Sequence, residues 1–378
     1  MKEGSPMGMF GFVRSWVPVA RKVALLALLS ACGGAGDGGG ASPVVETRPV
    51  ADADAGGARG DASACDPAVR SFSVPDVSAV KVSHAQIDPA QVNPAANAFP
   101  DSKHQVFLPA DPGAKLRDEL FVILPGTNNR AQGFQTLGTL AARAGYRVVA
   151  LAYESDTHPI GSCAGITSET ELLACRESVW AEKVYGQDKT PRYAGDVPNS
   201  VSGRLSDLLR FLAKNQPGVG ADRFLSGSDV RWDRIALLGF SQGSVVAGYI
   251  GKDQRLARLV LVAGGCDDLT VDGKRFLVPW CSASRATPVS RTFAISHVAD
   301  DTNADALIAK AFGLLDRGGY VDISANAPSY CTGTHALLSH EPTNKAHLSL
   351  ALDGFIPLVG DSPRLAEDYL YAFTAPVE

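Results

Sequence analysis

The sequence contains no run of lysines or arginines, and its formal charge of −5 is spread along 378 residues. Attraction to a phosphate backbone needs clustered positive charge, so nucleic acid is set aside as a partner. No Cys-x-x-Cys or His-Glu-x-x-His spacing occurs, so neither a metal site nor a cofactor is expected. A long apolar stretch is missing too. "VALLALLSAC", Val23 to Cys32, is about half of the ~20 residues needed to cross a hydrocarbon core. There is no internal repeat. What remains is an ordinary apolar share, 45% of the chain, enough for one large α/β domain with appendages.

Arg21 and Lys22 precede that short apolar run, which ends in small residues and a cysteine. A positive flank, a short apolar run and a small-residue exit read as an export signal. Leu29-Ser30-Ala31-Cys32 resembles the lipobox of bacterial lipoproteins. The resemblance implies cleavage before Cys32 and lipid on its thiol, with residues 1–31 as signal peptide. It places the protein at the bacterial cell envelope, at the outer membrane or the periplasmic face in a Gram-negative cell. A plain secretory signal cut near the same place, giving a secreted protein, is the alternative. The charged region is long for a signal, so Met7 or Met9 are candidate starts. Residues 32–65, rich in Gly, Ala and Asp, cannot offset their ordering entropy by burial and read as a flexible tether. The folded domain is expected over residues 66–378.

Export makes disulfides plausible partners for the cysteines. Setting Cys32 aside leaves six of the seven. Cys163 and Cys175 bracket a short segment and are the first expected bridge; Cys266 and Cys281 are the second, which leaves Cys65 and Cys331 by default.

From Asp66 onward β-like runs alternate with helical stretches, the pattern of a mostly parallel sheet flanked by helices. "ELFVILPG" and "YRVVALAY" read as strands buried on both faces. Between them Phe134, Leu137, Leu140 and Ala141 recur at helical spacing, with Gly145 as the stop. Residues 154–198 read as an irregular, disulfide-bearing insert, too long for a simple connection. Asn199 or Ser200 can cap a helix whose face is Val201, Leu205, Leu208, Leu209 and Leu212. "WDRIALLGF", "LARLVLVAGG" and "RTFAISHVADD" follow as strands, "ALIAKAFGLLDRGG" as an amphipathic helix, and "YVDI" as a short strand.

Gly239-Phe240-Ser241-Gln242-Gly243 stands between the strand "RIALL" and the helical "SVVAGYI". A sharp strand-to-helix turn strains the serine and leaves room only for small neighbours. The following helix turns its N–H groups and partial positive charge toward that serine. On these residues the chain, from about Val106 to its end, resembles the α/β-hydrolase superfamily. The resemblance implies a mostly parallel central sheet with helices on both faces and a serine, acid, histidine order. It makes Ser241 the nucleophile.

Four histidines lie downstream of Ser241. His297 comes too early in the order, at a strand end. His335 and His340 sit in "CTGTHALLSH", read as a surface loop, and His347 precedes an apolar stretch. The expected base is His347, with His340 as the alternative. In "TFAISHVADDTN" the resemblance selects Asp300 as the acid, with Asp301 as the alternative; one of the two can equally cap a helix starting near Thr302. Asp267 and Asp268 are a weaker third option. The oxyanion donors implied are the amide of Gln242 and, from "LPGTNN", that of Thr127, although Pro125-Gly126 departs from the His-Gly common in the family. Acyl transfer on small-molecule or polymeric carboxylic esters is the function implied. A peptidase or polyester depolymerase would use the same residues, and a non-catalytic binding lipoprotein is the alternative of a different class.

Overall fold

A computed structural model describes residues 72–378 except 97, 98, 100, 112, 272, 273, 301–304, 318 and 325–332. The export signal, the tether, Cys32, Cys65, Asp301, Thr302 and Cys331 lie outside the described residues.

The apolar runs become a sheet. Its strands are β1 Val82–Ile87, β2 His104–Pro109, β3 Leu120–Leu124, β4 Arg147–Ala150, β5 Ile235–Phe240, β6 Arg258–Val262, β7 Thr292–His297, β8 Tyr320–Asp322 and β9 Ala336–Ser339. They lie in the order β1-β2-β4-β3-β5-β6-β7-β9-β8. β2 runs antiparallel to both β1 and β4, and every pairing from β4 onward is parallel. Parallel neighbours require crossovers, and the helices α1 Gln135–Arg143, α2 Glu169–Tyr185, α3 Val201–Asn215, α4 Gln242–Asp253, α5 Asp305–Ala311 and α6 Ala366–Thr374 cover the sheet.

Because side chains alternate along a strand, β3 feeds two cores at once. Leu120, Val122 and Leu124 pack with Trp180, Leu205, Leu208 and Ile250 of α2, α3 and α4. Phe121 and Ile123 point the other way, to Leu137, Ala141, Tyr369 and Phe373 of α1 and α6. All five β3 residues are buried, each larger side chain contributing roughly 1.5–3 kcal/mol. A mostly parallel sheet covered on both faces, with the Gly-x-Ser-x-Gly segment as its central strand-to-helix turn, is the α/β-hydrolase fold.

Three expectations need correction. The segment over residues 154–198 is not irregular: it contains α2, a helix of 17 residues. The Ser168 hydroxyl accepts from the Glu171 N–H at 3.4 Å at its start. Its inner face carries buried Arg176, Glu182 and Lys183, so the apolar period that marks a helix is broken. Within "CTGTHALLSH" the part from His335 to Ser339 is not a surface loop either, because Ala336–Ser339 is β9 and His335 is buried; four residues are too few to show a pattern. The helix read over "ALIAKAFGLLDRGG" ends at Ala311, where the chain turns left-handed at Gly313 (φ 69°).

Each of two insertions is closed on itself by a disulfide. Cys163–Cys175 joins the start of the first insert to α2, with Cα atoms 6.0 Å apart. Cys266–Cys281, at 5.8 Å, closes the segment after β6. That segment contains an antiparallel hairpin, Asp268–Val271 with Lys274–Leu277, which the sequence reading missed.

α2 docks on this second segment through a buried ion pair. Arg176 Nη2 lies 2.7 Å from Asp267 Oδ1, Nη1 donates to the Asp268 carbonyl at 2.9 Å, and Trp180 Nε1 donates to Asp267 Oδ2 at 3.0 Å. Burial pushes the Asp267 carboxyl up to about 6, with Arg176 and Trp180 holding it down against that. Asp267 is therefore committed to structure, and Asp268 to Arg275 at 2.5 Å, so neither serves as the acid of the third option. Removing one partner of such a pair strands a buried charge. Arg176→Met is expected to lower stability by about 3–5 kcal/mol in urea unfolding at neutral pH. The loss should shrink on acidification, because a protonated Asp267 needs no counter-charge.

Candidate active site

β5 ends at Phe240, and the Ser241 N–H is held by the Val262 carbonyl of the neighbouring strand at 2.9 Å. The chain then reverses into α4 with Ser241 at φ 53°, ψ −120°. Few non-glycine residues adopt positive φ, and the surroundings must enforce it. Here they do. A Cβ at Gly239 would strike the Gly243 carbonyl, and one at Gly243 would strike the Leu124 and Pro125 carbonyls. A Cβ at Gly126 would sit 2.8 Å from the Ser241 Cβ. β3, its following loop and the first turn of α4 are thus pressed together around the serine, which is half-buried.

The Thr127 loop is fixed from outside. Asn128 takes φ 58°, its N–H meets the Ser155 carbonyl at 3.3 Å, and the Asn129 N–H closes a turn onto Gly126 at 3.0 Å. Among the described residues no acceptor meets the Thr127 N–H. The Gln242 N–H belongs to the first turn of α4, where no earlier carbonyl of the helix can reach it. Two orphan donors therefore flank Ser241.

Asp300 follows the end of β7, its N–H turned onto the His297 carbonyl at 3.0 Å. Its Oδ2 lies 2.7 Å from His347 Nδ1. The carboxylate side chain is 1% exposed and the imidazole 17%. The imidazole also lies against Phe240, with ring centroids 5.1 Å apart, so the pair rests on the residue just before Ser241. With Nδ1–H donated to the carboxylate, a neutral His347 keeps a lone pair on Nε2.

The other histidines are placed differently. Both His297 nitrogens are occupied, Nδ1 accepting from the Ala299 N–H at 3.0 Å and Nε2 bonded to the Glu341 carbonyl at 2.8 Å. His335 stacks on Phe293 and bonds the Thr292 carbonyl at 2.6 Å. His340 pairs with Asp322 at 3.2 Å on the sheet margin, its side chain 43% exposed. Its strand is three places from β5, about 14 Å at ~4.8 Å per strand. As an alternative base it is badly placed.

A network missed in the sequence reading lies behind Gln242. The Gln242 side-chain Nε2 donates to Thr127 Oγ1 and to the Thr157 carbonyl, each at 3.2 Å. Lys183 Nζ approaches its Oε1 at 3.3 Å, and donates to the Glu154 and Thr157 carbonyls at 2.8 Å and to Glu154 Oε2 at 2.9 Å. Burial pulls the Lys183 pKa below the ordinary lysine range, with Glu154 opposing. Burial would raise Glu154, but the charge and hydrogen bonds of Lys183 outweigh it and hold it low. Only the position of Lys183 inside the insert could have flagged it in the sequence.

A second carboxyl stands near the Asp300–His347 pair. Burial pushes Asp305, at the start of α5, up to about 7, and the charge of Asp300 adds to the push. An unfolded aspartate titrates near ~3.9, so the folded chain retains a proton that the unfolded chain loses between those values. Stability from this group is therefore present at low pH and declines as pH rises toward about 7. Asp305→Asn removes the decline. Its advantage over wild type in urea unfolding is expected to grow by on the order of 1–3 kcal/mol between pH 5 and pH 8.

No family model matches the chain, and no curated protein matches it. Similar solved structures exist at low identity. One is a protein described as a dienelactone hydrolase from Klebsiella pneumoniae, 9% identical, with TM-score 0.35, covering 69% of this chain and 88% of that one. Another is MGS-M1, an α/β hydrolase from a Medee basin deep-sea metagenome library, 12% identical, with TM-score 0.31, covering 61% and 76%. A third is a point mutant of the esterase rPPE, 15% identical, with TM-score 0.37, covering 84% and 87%. Superpositions this loose carry no functional weight.

Proposed function

We propose that the chain is a serine hydrolase acting by acyl transfer, with carboxylic esters as its substrates. The observation that carries this reading is the buried Asp300 carboxylate bonded to His347 at 2.7 Å, seated on Phe240 beside the strained Ser241.

In this mechanism the Ser241 hydroxyl attacks the ester carbonyl carbon and its proton passes to His347 Nε2. The carbonyl π electrons move onto oxygen, and that oxyanion meets the N–H groups of Thr127 and Gln242 with the positive end of α4 behind them. Collapse of the tetrahedral intermediate breaks the bond to the alcohol, which leaves with the proton from His347. Water repeats the sequence, returning the acid product and the free serine. Asp300 keeps the imidazole in the tautomer that presents Nε2 and stabilises the imidazolium that forms. No residue in this account calls for a metal or cofactor. Delivery is proposed as the sequence suggests: an exported chain with a domain starting near Asp66, held to the envelope by lipid on Cys32.

A fluorophosphonate probe and a series of p-nitrophenyl esters of increasing chain length test the reading. Wild type should take the label and Ser241→Ala should not. His347→Ala and Asp300→Asn should each lower kcat by about 10³-fold or more, with the fold retained. His340→Ala should stay within about twofold, as expected of a surface residue. A folded wild type that neither labels nor hydrolyses any ester would leave a ligand-binding protein on this fold.

A further inference from the structure

We infer that the Gln242 side chain, fixed by Lys183, aims the Thr127 hydroxyl proton into the oxyanion hole as a third donor. The inference deepens the acyl-transfer reading and rests on it.

The direction of each bond follows from what its partners can do. An ammonium only donates and a carbonyl only accepts. Lys183 Nζ faces one end of the Gln242 amide at 3.3 Å and the Thr157 carbonyl faces the other at 3.2 Å. Reversing the amide would set its NH₂ against the ammonium and its oxygen against a carbonyl oxygen, two repulsions in a buried site. The oxygen must therefore point to Lys183 and the NH₂ to Thr157. One N–H of that NH₂ is spent on the carbonyl, and the second reaches Thr127 Oγ1 at 3.2 Å.

Thr127 Oγ1 is thereby an acceptor toward Gln242, and its own proton must go elsewhere. Among the described residues no acceptor takes it. The residue is half-buried and follows Gly126, where an added Cβ would come within 2.8 Å of the Ser241 Cβ. The acceptor waiting on that side is the oxygen that becomes negative during acyl transfer. A hydroxyl already turned toward that position needs no reorganisation when charge develops, which is where electrostatic catalysis gains most. Thr127 is then a catalytic residue through both its amide and its hydroxyl, and Gln242, beyond its amide, is a positioning residue. Lys183 keeps three other acceptors if the Gln242 amide is lost, so Gln242→Leu leaves its charge satisfied.

The test is steady-state kinetics on p-nitrophenyl acetate with Thr127→Val, Thr127→Ser, Gln242→Leu and the Thr127→Val/Gln242→Leu double variant. Thr127→Val should lower kcat about 10- to 100-fold with KM changed less than about threefold, and Thr127→Ser should restore kcat to within about threefold. Gln242→Leu keeps its backbone N–H but frees the hydroxyl, so kcat should fall by at least about fivefold. The double variant should be no slower than the slower single, because both act through one proton. Thr127→Val at the wild-type rate overturns the inference, as does multiplication of the two losses. A wild type that reacts with fluorophosphonate while Thr127→Val matches its kcat removes this inference alone. A wild type that takes no label removes the acyl-transfer reading beneath it.

Discussion

The site depends on one steric constraint: the close approach of three backbone segments around Ser241. Gly126 from the loop after β3, and Gly239 and Gly243 on either side of the serine, bring carbonyls and Cα atoms closer than any Cβ permits. That contact holds Ser241 at positive φ, a conformation the residue would leave if its neighbours relaxed. It also fixes the Thr127 loop against the start of α4. Strain at the serine and alignment of the two orphan N–H groups are therefore two results of the same packing.

Around this contact the fold supplies support from outside the sheet. The insert between β4 and α3 puts Lys183 and Glu154 behind Gln242, and α2 docks on the segment after β6 through Arg176 and Asp267. Buried charges are a poor way to gain stability and a good way to fix geometry, since each demands specific partners in specific directions. Aliphatic residues in those places would pack as well, but would not hold an amide in one orientation. The disulfides at Cys163–Cys175 and Cys266–Cys281 tether the same two insertions.

Much of the architecture was legible in the chain because its central strands are continuous apolar runs bounded by breakers. β3, β5 and β6 are buried along their whole lengths and almost wholly apolar, so composition alone marks them. α2 was illegible because three of the eight residues it buries, Arg176, Glu182 and Lys183, are charged. β9 was illegible because four residues flanked by histidines show no period. The sequence favours His347 over His340 only through the apolar stretch that follows it. They differ in what surrounds them, a half-exposed partner at the sheet margin against a carboxylate that is 1% exposed.

The sequence by itself determined the α/β class, the turn at Ser241 and the short set of acids and bases downstream. Those follow from local patterns, since a strand, a glycine turn and a helix are specified by neighbouring residues. Only the tertiary structure decided that Asp300 meets His347 across 47 positions, that Asp267 belongs to Arg176, and that Lys183 stands behind Gln242. Such pairings depend on which strands lie side by side and how far each loop returns over the sheet edge. Strand order and loop path are set by the summed packing of both cores, and no local stretch of sequence contains that sum.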